Sequence, residues 1–371
     1  MTAVAQLAPA LAWAALFPWW LALGLTLGAW ALTARRVHRL FGDPRRPRWV
    51  TRLVDEPVFL HWGAGLLALP LFCVGALGLG AASLGGCAPA AGPIGLAASL
   101  PQAALAAFGS GLCIAGWGLW GRRRFVRKRT IEVPIRRLHR DLDGYRVVQL
   151  SDLHIGSYDD VRRGLEWARA ANALAPDLIV VTGDLVTSGT AYYEDVAEVI
   201  GALRAKDGVF VVMGNHDQWD NAALTRAVEA RGPRVLKNEH VRIERGAGAF
   251  ILAGVDDAYS GSDDIERTLA GRPEELPTLL LAHYPDFFRE AAEHGVELTL
   301  SGHTHGGQFG VPFLADRLNL AGALGQASRG LYRSGESALY VNAGLGTTGP
   351  PIRLGVAPEI AVLVLGAGEP E

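Results

Sequence analysis

The stretch Tyr145-Arg146-Val147-Val148-Gln149-Leu150-Ser151-Asp152-Leu153-His154 decides the reading of this chain. It is a short apolar run that ends in a carboxylate and an imidazole two residues apart, and a helix-type pattern over 159–174 follows it. The same order of strand and then polar turn recurs. Residues 177–182 read as a strand ending at Gly183-Asp184, and 208–213 as one ending at Gly214-Asn215-His216-Asp217. Further on, 278–282 leads into His283, and 297–300 leads into Ser301-Gly302-His303-Thr304-His305. In open α/β sheets the loops at the carboxyl ends of strands gather the chemistry, because side chains from several strands converge there. From residue 309 onward helical periodicity fades, and short β-like runs at 338–341 and 359–364 lie between turns that contain Gly and Pro. A second, more antiparallel sheet is expected there. The fold class is therefore α/β, a two-sheet sandwich flanked by helices and preceded by an all-α transmembrane region.

Upstream of this domain, expected over 141–366 with a short tail at 367–371, the composition changes. Residues 9–33 and 57–121 contain no Asp, Glu, Lys or Arg. Runs of this length cross a hydrocarbon core about 30 Å thick, so three spans are expected, at 9–33, 59–80 and 102–120, with a turn near 80–101. A cleavable signal peptide is disfavoured, because no basic residue precedes the first run and Arg35 and Arg36 follow it. Arg35, Arg36, Arg39, Arg45, Arg46, Arg48 and Arg52 lie between the first two spans, and Arg122, Arg123, Arg124, Arg127, Lys128 and Arg129 follow the third. The positive-inside rule then puts the N-terminus outside and the large domain in the cytoplasm, on a chain integral to the inner (plasma) membrane. The basic stretch 122–140 reads as a juxtamembrane linker against anionic headgroups, or as a topology signal alone.

Net charge is −2, so no basic excess marks a general nucleic-acid binder. The three cysteines, Cys73, Cys87 and Cys113, all fall in the apolar third. A metal in the later domain must therefore use nitrogen and oxygen ligands.

Asp152 and His154, Asp184, Asn215 and His216, His283, and His303 and His305 offer such ligands from five strand ends. Each block alone has a plain structural explanation: Gly183-Asp184 is a common capping turn, Gly214-Asn215 a good turn dipeptide, and His283 an ordinary core histidine. Their combination is specific. In order they read D-x-H, G-D, G-N-H-D, a lone H and G-H-x-H, and in this the chain resembles the calcineurin-like metallophosphoesterase superfamily, in its membrane-associated branch. The resemblance implies two divalent metal ions, Mn, Fe or Zn. One would be held by Asp152, His154, Asp184 and His305, the other by Asp184, Asn215, His283 and His303, with Asp184 bridging. It also implies that a hydroxide between the metals attacks phosphorus in line, with His216 as the catalytic histidine that stabilises the transition state and protonates the leaving oxygen. Asp217 and Asp152 are expected to orient imidazoles, while Asp217 also fits the start of a helix at Asp217-Gln218-Trp219.

The implied activity is that of a metal-dependent phosphoric ester hydrolase. The motifs do not separate monoester, diester and pyrophosphate; the anchor and the basic linker favour a phosphodiester or pyrophosphate attached to a lipid. In this the chain looks similar to enzymes that hydrolyse the UDP-linked diacylglucosamine precursor of lipid A. Arg329, Arg333 and Arg353 are candidate phosphate contacts, with solvated loop arginines as the simpler reading. A catalytically inactive metal-binding scaffold or sensor is opposed by the complete ligand set, and a protein Ser/Thr phosphatase by the anchor. The expected partners are the phosphoester and membrane lipids, with neither a nucleic acid nor a protein among them.

Overall fold

The computed structural model describes residues 2–38, 45–84, 93–311, 313–315 and 317–368. The chain divides into a helical unit (residues 1–41, 46–123 and 349–352) and an α/β unit (42–45, 124–348 and 353–371).

In the helical unit, helices run over Leu7–Leu16, Trp19–His38, Glu56–Leu84 and Pro93–Gly116. The first expected span is split in two. Pro18 disfavours helical geometry at the residue before it, and Phe17 is extended (φ −133°, ψ 157°), which ends one helix before the next begins. Two stretches, Arg48–Ser83 and Ser99–Arg124, are long and apolar enough to cross a membrane. The turn expected at 80–101 is shorter than that, since helix persists to Leu84 and resumes at Pro93; residues 85–92 lie outside the described residues. A buried ion pair, Arg36 Nε to Asp55 Oδ1 at 2.7 Å, leaves neither charge unpaired.

The α/β unit contains strands β1 (Arg127–Ile135), β2 (Tyr145–Leu150), β3 (Leu178–Thr182), β4 (Val209–Val212), β5 (Arg234–Val235), β6 (Glu239–Arg245), β7 (Gly248–Gly254), β8 (Thr278–Leu281), β9 (Leu298–Ser301), β10 (Gly330–Ser334), β11 (Ser337–Val341) and β12 (Glu359–Ala367). They form two six-stranded sheets, ordered β1-β12-β2-β3-β4-β5 and β10-β11-β9-β8-β7-β6. Every strand that the sequence placed before a polar turn is present within a residue or two.

Two expectations need correction. The second sheet begins at β6, well before residue 309, and its central strands β7, β8, β9 and β11 are parallel; only the hairpins β6–β7 and β10–β11 are antiparallel. The helix Phe287–Glu293 joins β8 to β9, and such a crossover is what parallel neighbours require. The basic stretch 122–140 also contains a nine-residue strand. β1 pairs in parallel with β12 from Arg127↔Glu359 to Ile135↔Ala367. Its alternate residues Val133 and Ile135 are buried while Arg127 and Lys128 stay exposed, so it is an edge strand with one wet face. β12 likewise carries the domain to Ala367.

Alternation along the strands builds three apolar layers. Val147, Val180 and Phe210 point between the sheets, against Leu252, Leu281, Leu300 and Tyr340. Their neighbours Val148, Ile179 and Val211 point outward and pack with Trp167, Val196 and Leu224. These come from helices Val161–Asn172, Tyr193–Gly201 and Asn221–Glu229. On the far side, Ala253 and Leu280 pack with Ile265, Leu269, Phe287 and Ala291. Both parallel sets thereby end at one edge, where the polar turns lie.

Candidate metal centre

At that edge the layer between the sheets turns polar by the same period of two. Inward positions pass from Val147 to Gln149 and Ser151, from Val180 to Thr182, and from Tyr340 to Asn342, all buried. Gln149 Nε2 donates to Thr182 Oγ1 (2.9 Å) and to the Ser301 carbonyl (3.0 Å). Thr182 Oγ1 donates to Ser151 Oγ (2.8 Å), which donates to the Thr182 carbonyl (3.0 Å). This network joins strand ends of both sheets. Sequence reasoning missed it, although single polar residues at inward positions of apolar strands were its visible signal.

Above it the backbone leaves regular geometry. Asp152, His154, Asp184, His303 and His305 have φ of 51°, 46°, 54°, 67° and 51°. They are half of the ten non-glycine residues with positive φ among the described residues, so the strain concentrates on expected ligands. The loops are tied to each other by Asp152 N–H to the Gly183 carbonyl (2.9 Å) and His154 N–H to the Asp184 carbonyl (3.0 Å). Two motif glycines serve close approach. A Cβ on Gly302 would lie 1.9 Å from Ser151 Oγ and 2.4 Å from Asp152 Oδ2, and one on Gly214 would lie 2.4 Å from Asp184 Oδ1.

The fold brings Asp152, His154, Asp184 and His305 together as one group and Asp184, His283 and His303 as a second, with the candidate ligand atoms of each within 4.8 Å of one another. Asp184 is common to both. Its Oδ2 lies 3.6 Å from His154 Nε2 and 3.3 Å from His283 Nε2, while its Oδ1 accepts the His216 N–H at 2.9 Å. His305 Nε2 lies 3.1 Å from His154 Nε2 and 3.5 Å from Asp152 Oδ1. Ligands about 2.1 Å from one cation are about 3.0–3.4 Å apart in octahedral or tetrahedral geometry, close to these separations.

The donors are also underused by the protein. His283 Nδ1 faces the Thr182 carbonyl at 2.8 Å, which turns Nε2 toward Asp184 Oδ2 at 3.3 Å, where a cation can replace its proton. Asn215 Oδ1, His154 Nδ1 and His303 Nδ1 are buried without hydrogen bonds. Unpaired buried polar atoms are costly, and nitrogen and oxygen donors grouped with Asp152 and Asp184 fit divalent cations.

Electrostatics of the metal-free protein point the same way. Burial, reinforced by the charge of Asp184, pushes Asp152 up to about 6 against the pull of His283. Burial acts upward on Asp184 too, but His283, His216 and His154 outweigh it and hold that carboxyl well below its usual range. Burial works downward on His283, and the facing Asp184 reverses this and raises it to about 10. Burial lowers His154 to about 3, with His216 adding repulsion, and His303 to about 4, with His283 adding. His305 falls well below its usual value through burial and the nearby His154 and Arg353. Most of these imidazoles are thus neutral and able to donate a lone pair.

His216 stands beside the cluster, half-buried, with its ring centroid 4.6 Å from that of His154. Its Nδ1 faces the Thr187 carbonyl at 2.5 Å, so Nε2 is the nitrogen left for proton exchange. Asp217 orients no imidazole. Its carboxylate accepts the N–H groups of Gly214 (2.9 Å), Leu185 (2.9 Å) and Val186 (3.1 Å), latching the turn that carries Asp184 to the turn that carries His216. Asp152 accepts the His303 N–H at 3.1 Å.

Arg353 is neither a phosphate contact nor a solvated loop residue. It is 0% exposed, and its guanidinium donates to the carbonyls of Ala343 (2.9 Å), Gly344 (3.0 Å) and Gly346 (2.6 Å). It braces the turn that packs under Asp152 and His154. Arg333 is exposed on β10, and Arg329 is half-buried. Tyr284, not singled out in the sequence, lies with its ring 4.3 Å from that of His303.

Two sheets whose joined edge carries this set of carboxylates and imidazoles define a metallophosphoesterase fold. The family model for calcineurin-like phosphoesterases matches residues 145–307. The chain is 33% identical over 270 residues to an uncharacterized metallophosphoesterase, YkuE, of Bacillus subtilis, which covers 70% of this chain and 93% of that protein. It belongs to the calcineurin-like phosphoesterase family. It is also 32% identical over 268 residues to the "transmembrane protein with metallophosphoesterase domain" of Danio rerio, covering 68% of this chain and 60% of that one. The protein of the same description from Bos taurus is 35% identical over 258 residues, 64% of this chain and 56% of the relative. The chain thus spans less than two thirds of the length of these two relatives.

Proposed function

We propose that this chain is a membrane-anchored phosphoesterase that holds two divalent cations and hydrolyses a phosphodiester or pyrophosphate, with lipid-linked esters as its substrate class. The carrying observation is Asp184, whose Oδ2 lies 3.6 Å from His154 Nε2 and 3.3 Å from His283 Nε2 and so belongs to both ligand groups. Asp152, His154, Asp184 and His305 would hold one cation, and Asp184, Asn215, His283 and His303 the other. Bound Mn, Fe or Zn supplies Lewis acidity at the phosphoryl oxygens and brings a water pKa toward neutrality.

The remaining work falls to the chain. His216, fixed through Nδ1 by Thr187, presents Nε2 to carry a proton to the leaving oxygen. Asp217 holds His216 and Asp184 in register through three backbone amides. Arg353 keeps the 343–346 turn under the ligands. Anchoring is supported by the stretches Arg48–Ser83 and Ser99–Arg124 and by the transmembrane relatives. The arginines at 35–52 and 122–129 favour a cytoplasmic α/β unit, following a membrane region over about 1–121.

The test is hydrolysis of bis- and mono-nitrophenyl phosphate by the purified chain supplied with Mn, Zn or Fe, beside Asp184→Asn. Metal-dependent turnover that Asp184→Asn abolishes is expected, and undiminished turnover by that variant would overturn the bridging role. Vesicles that carry a lipid-linked diester, set against a soluble diester, decide the substrate class; faster turnover of the soluble ester would remove the lipid assignment.

A further inference from the structure

Exposed apolar side chains on the α/β unit gather at one edge. Trp219 is on the loop after β4 and Tyr259 on the loop after β7, while Phe313, Leu314, Leu318 and Leu324 follow the turn His305–Gly307 that leaves β9. All three loops leave the carboxyl ends of strands, the edge that carries the ligand groups. The opposite ends of β9 and β11 present charge instead, with Arg136, Arg137, Arg289, Glu293 and Glu336 around one cavity.

Among the described residues of 311–324, all the large apolar side chains face outward. Ala315, Asn319 and Ala321 are buried, with Asn319 donating from Nδ2 to the Ala315 carbonyl (2.8 Å) and accepting the Gly322 N–H (2.8 Å), while Arg317 is exposed beside the leucines. Leu320 N–H bonds the Phe309 carbonyl at 2.9 Å, which ties the segment down beside the metal centre. The loop is thus held folded from its inner side while Phe313, Leu314, Leu318 and Leu324 face outward. Large apolar side chains exposed together on one folded loop are unusual on a water-facing surface and mark one that something apolar covers.

We propose that this rim, with the 311–324 segment foremost, sits in the lipid bilayer interface, so that the metal centre takes phosphoesters from the membrane surface. Trp, Tyr, Phe and Leu are the side chains that settle at the boundary between headgroup and acyl chain. The chain's own helices of membrane-crossing length keep a bilayer within reach, whereas a protein partner has no such tether. The segment lies outside residues 145–307, the part matched by the family model. The inference rests on the membrane-anchoring half of the function proposed above and not on its hydrolytic half.

The test uses the full chain in nanodiscs of phosphatidylcholine and phosphatidylglycerol, with Cys73, Cys87 and Cys113 replaced by alanine. Nitroxide labels are placed on Leu314→Cys, on Leu324→Cys, and on Ser334→Cys at the exposed β10–β11 turn as the water-facing control. Collision with lipid-soluble oxygen is compared with collision with a water-soluble nickel chelate. The oxygen-to-nickel ratio at 314 and 324 is expected to exceed the control several-fold. A ratio equal to the control would show a water-facing loop, and protection from both quenchers would show cover by a second copy or another protein; either result overturns the proposal. The readout needs no turnover, so failure of the phosphoesterase reading leaves it interpretable.

Discussion

Replacing Asp217 by alanine tests whether the two ligand-bearing turns are held in register by one buried carboxylate. The substitution leaves the N–H groups of Gly214, Leu185 and Val186 without an acceptor in a region closed to water. Each orphaned buried donor costs about 1–3 kcal/mol, for a gross loss of about 3–9 kcal/mol. Burial of the carboxylate itself offsets part of this, since burial and then the charge of Asp184 push Asp217 up to about 7. A net destabilisation of about 2–5 kcal/mol follows, in the range seen when one member of a buried charged network is removed. For a unit of this size, melting falls about 2–4 °C per kcal/mol. Asp217→Ala should therefore melt well below the wild type when followed by tryptophan fluorescence, and elemental analysis should find less bound metal, because Asp184 and Asn215 are no longer fixed relative to each other. A variant that melted with the wild type and kept its full metal content would refute the latch.

His216→Ala should keep its metal yet lose about 10²–10⁴ of the hydrolytic rate, since its ring bonds Thr187 and carries a proton rather than a cation; loss of metal with the ring would reassign it as a ligand. In the metal-free protein Asp184 raises His283 from 6.5 to about 10 against burial, so this ion pair contributes fully below about pH 6.5 and its contribution is lost as pH rises through about 10. A bound cation displaces that proton. Metal loading near pH 8 should thus release a proton, visible as buffer-dependent heat in calorimetry, and alkaline pH should lower the melting temperature of the metal-free form more than that of the loaded form; equal losses would contradict it. Arg353→Met strands the carbonyls of Ala343, Gly344 and Gly346 and should destabilise the unit by about 3–5 kcal/mol, read by denaturant titration. Arg353→Lys should rescue little, since the three N–H groups of an ammonium share one nitrogen and do not span the carbonyls that Nη1 and Nη2 reach separately.

Strand ends were legible because an apolar run that stops at Asp152, Asp184, Asn215 or His283 is a local pattern, and motif order supplied the candidate ligand residues that the fold brings together. Membrane-length apolar runs were equally local, though Pro18 broke one of them. Pairing was not legible. Arg127–Ile135 reads as a basic linker until β12, more than 220 residues away, lies alongside it, and the direction of β9 against β11 depends on a helix that crosses the sheet. Arg353 and Asp217 carried no distinguishing signal either, because what they do depends on which carbonyls and amides the fold delivers to them. Residue type and periodicity determine what a segment offers; a buried charge acquires its role only from partners distant in the chain, and those partners exist once the tertiary structure has formed.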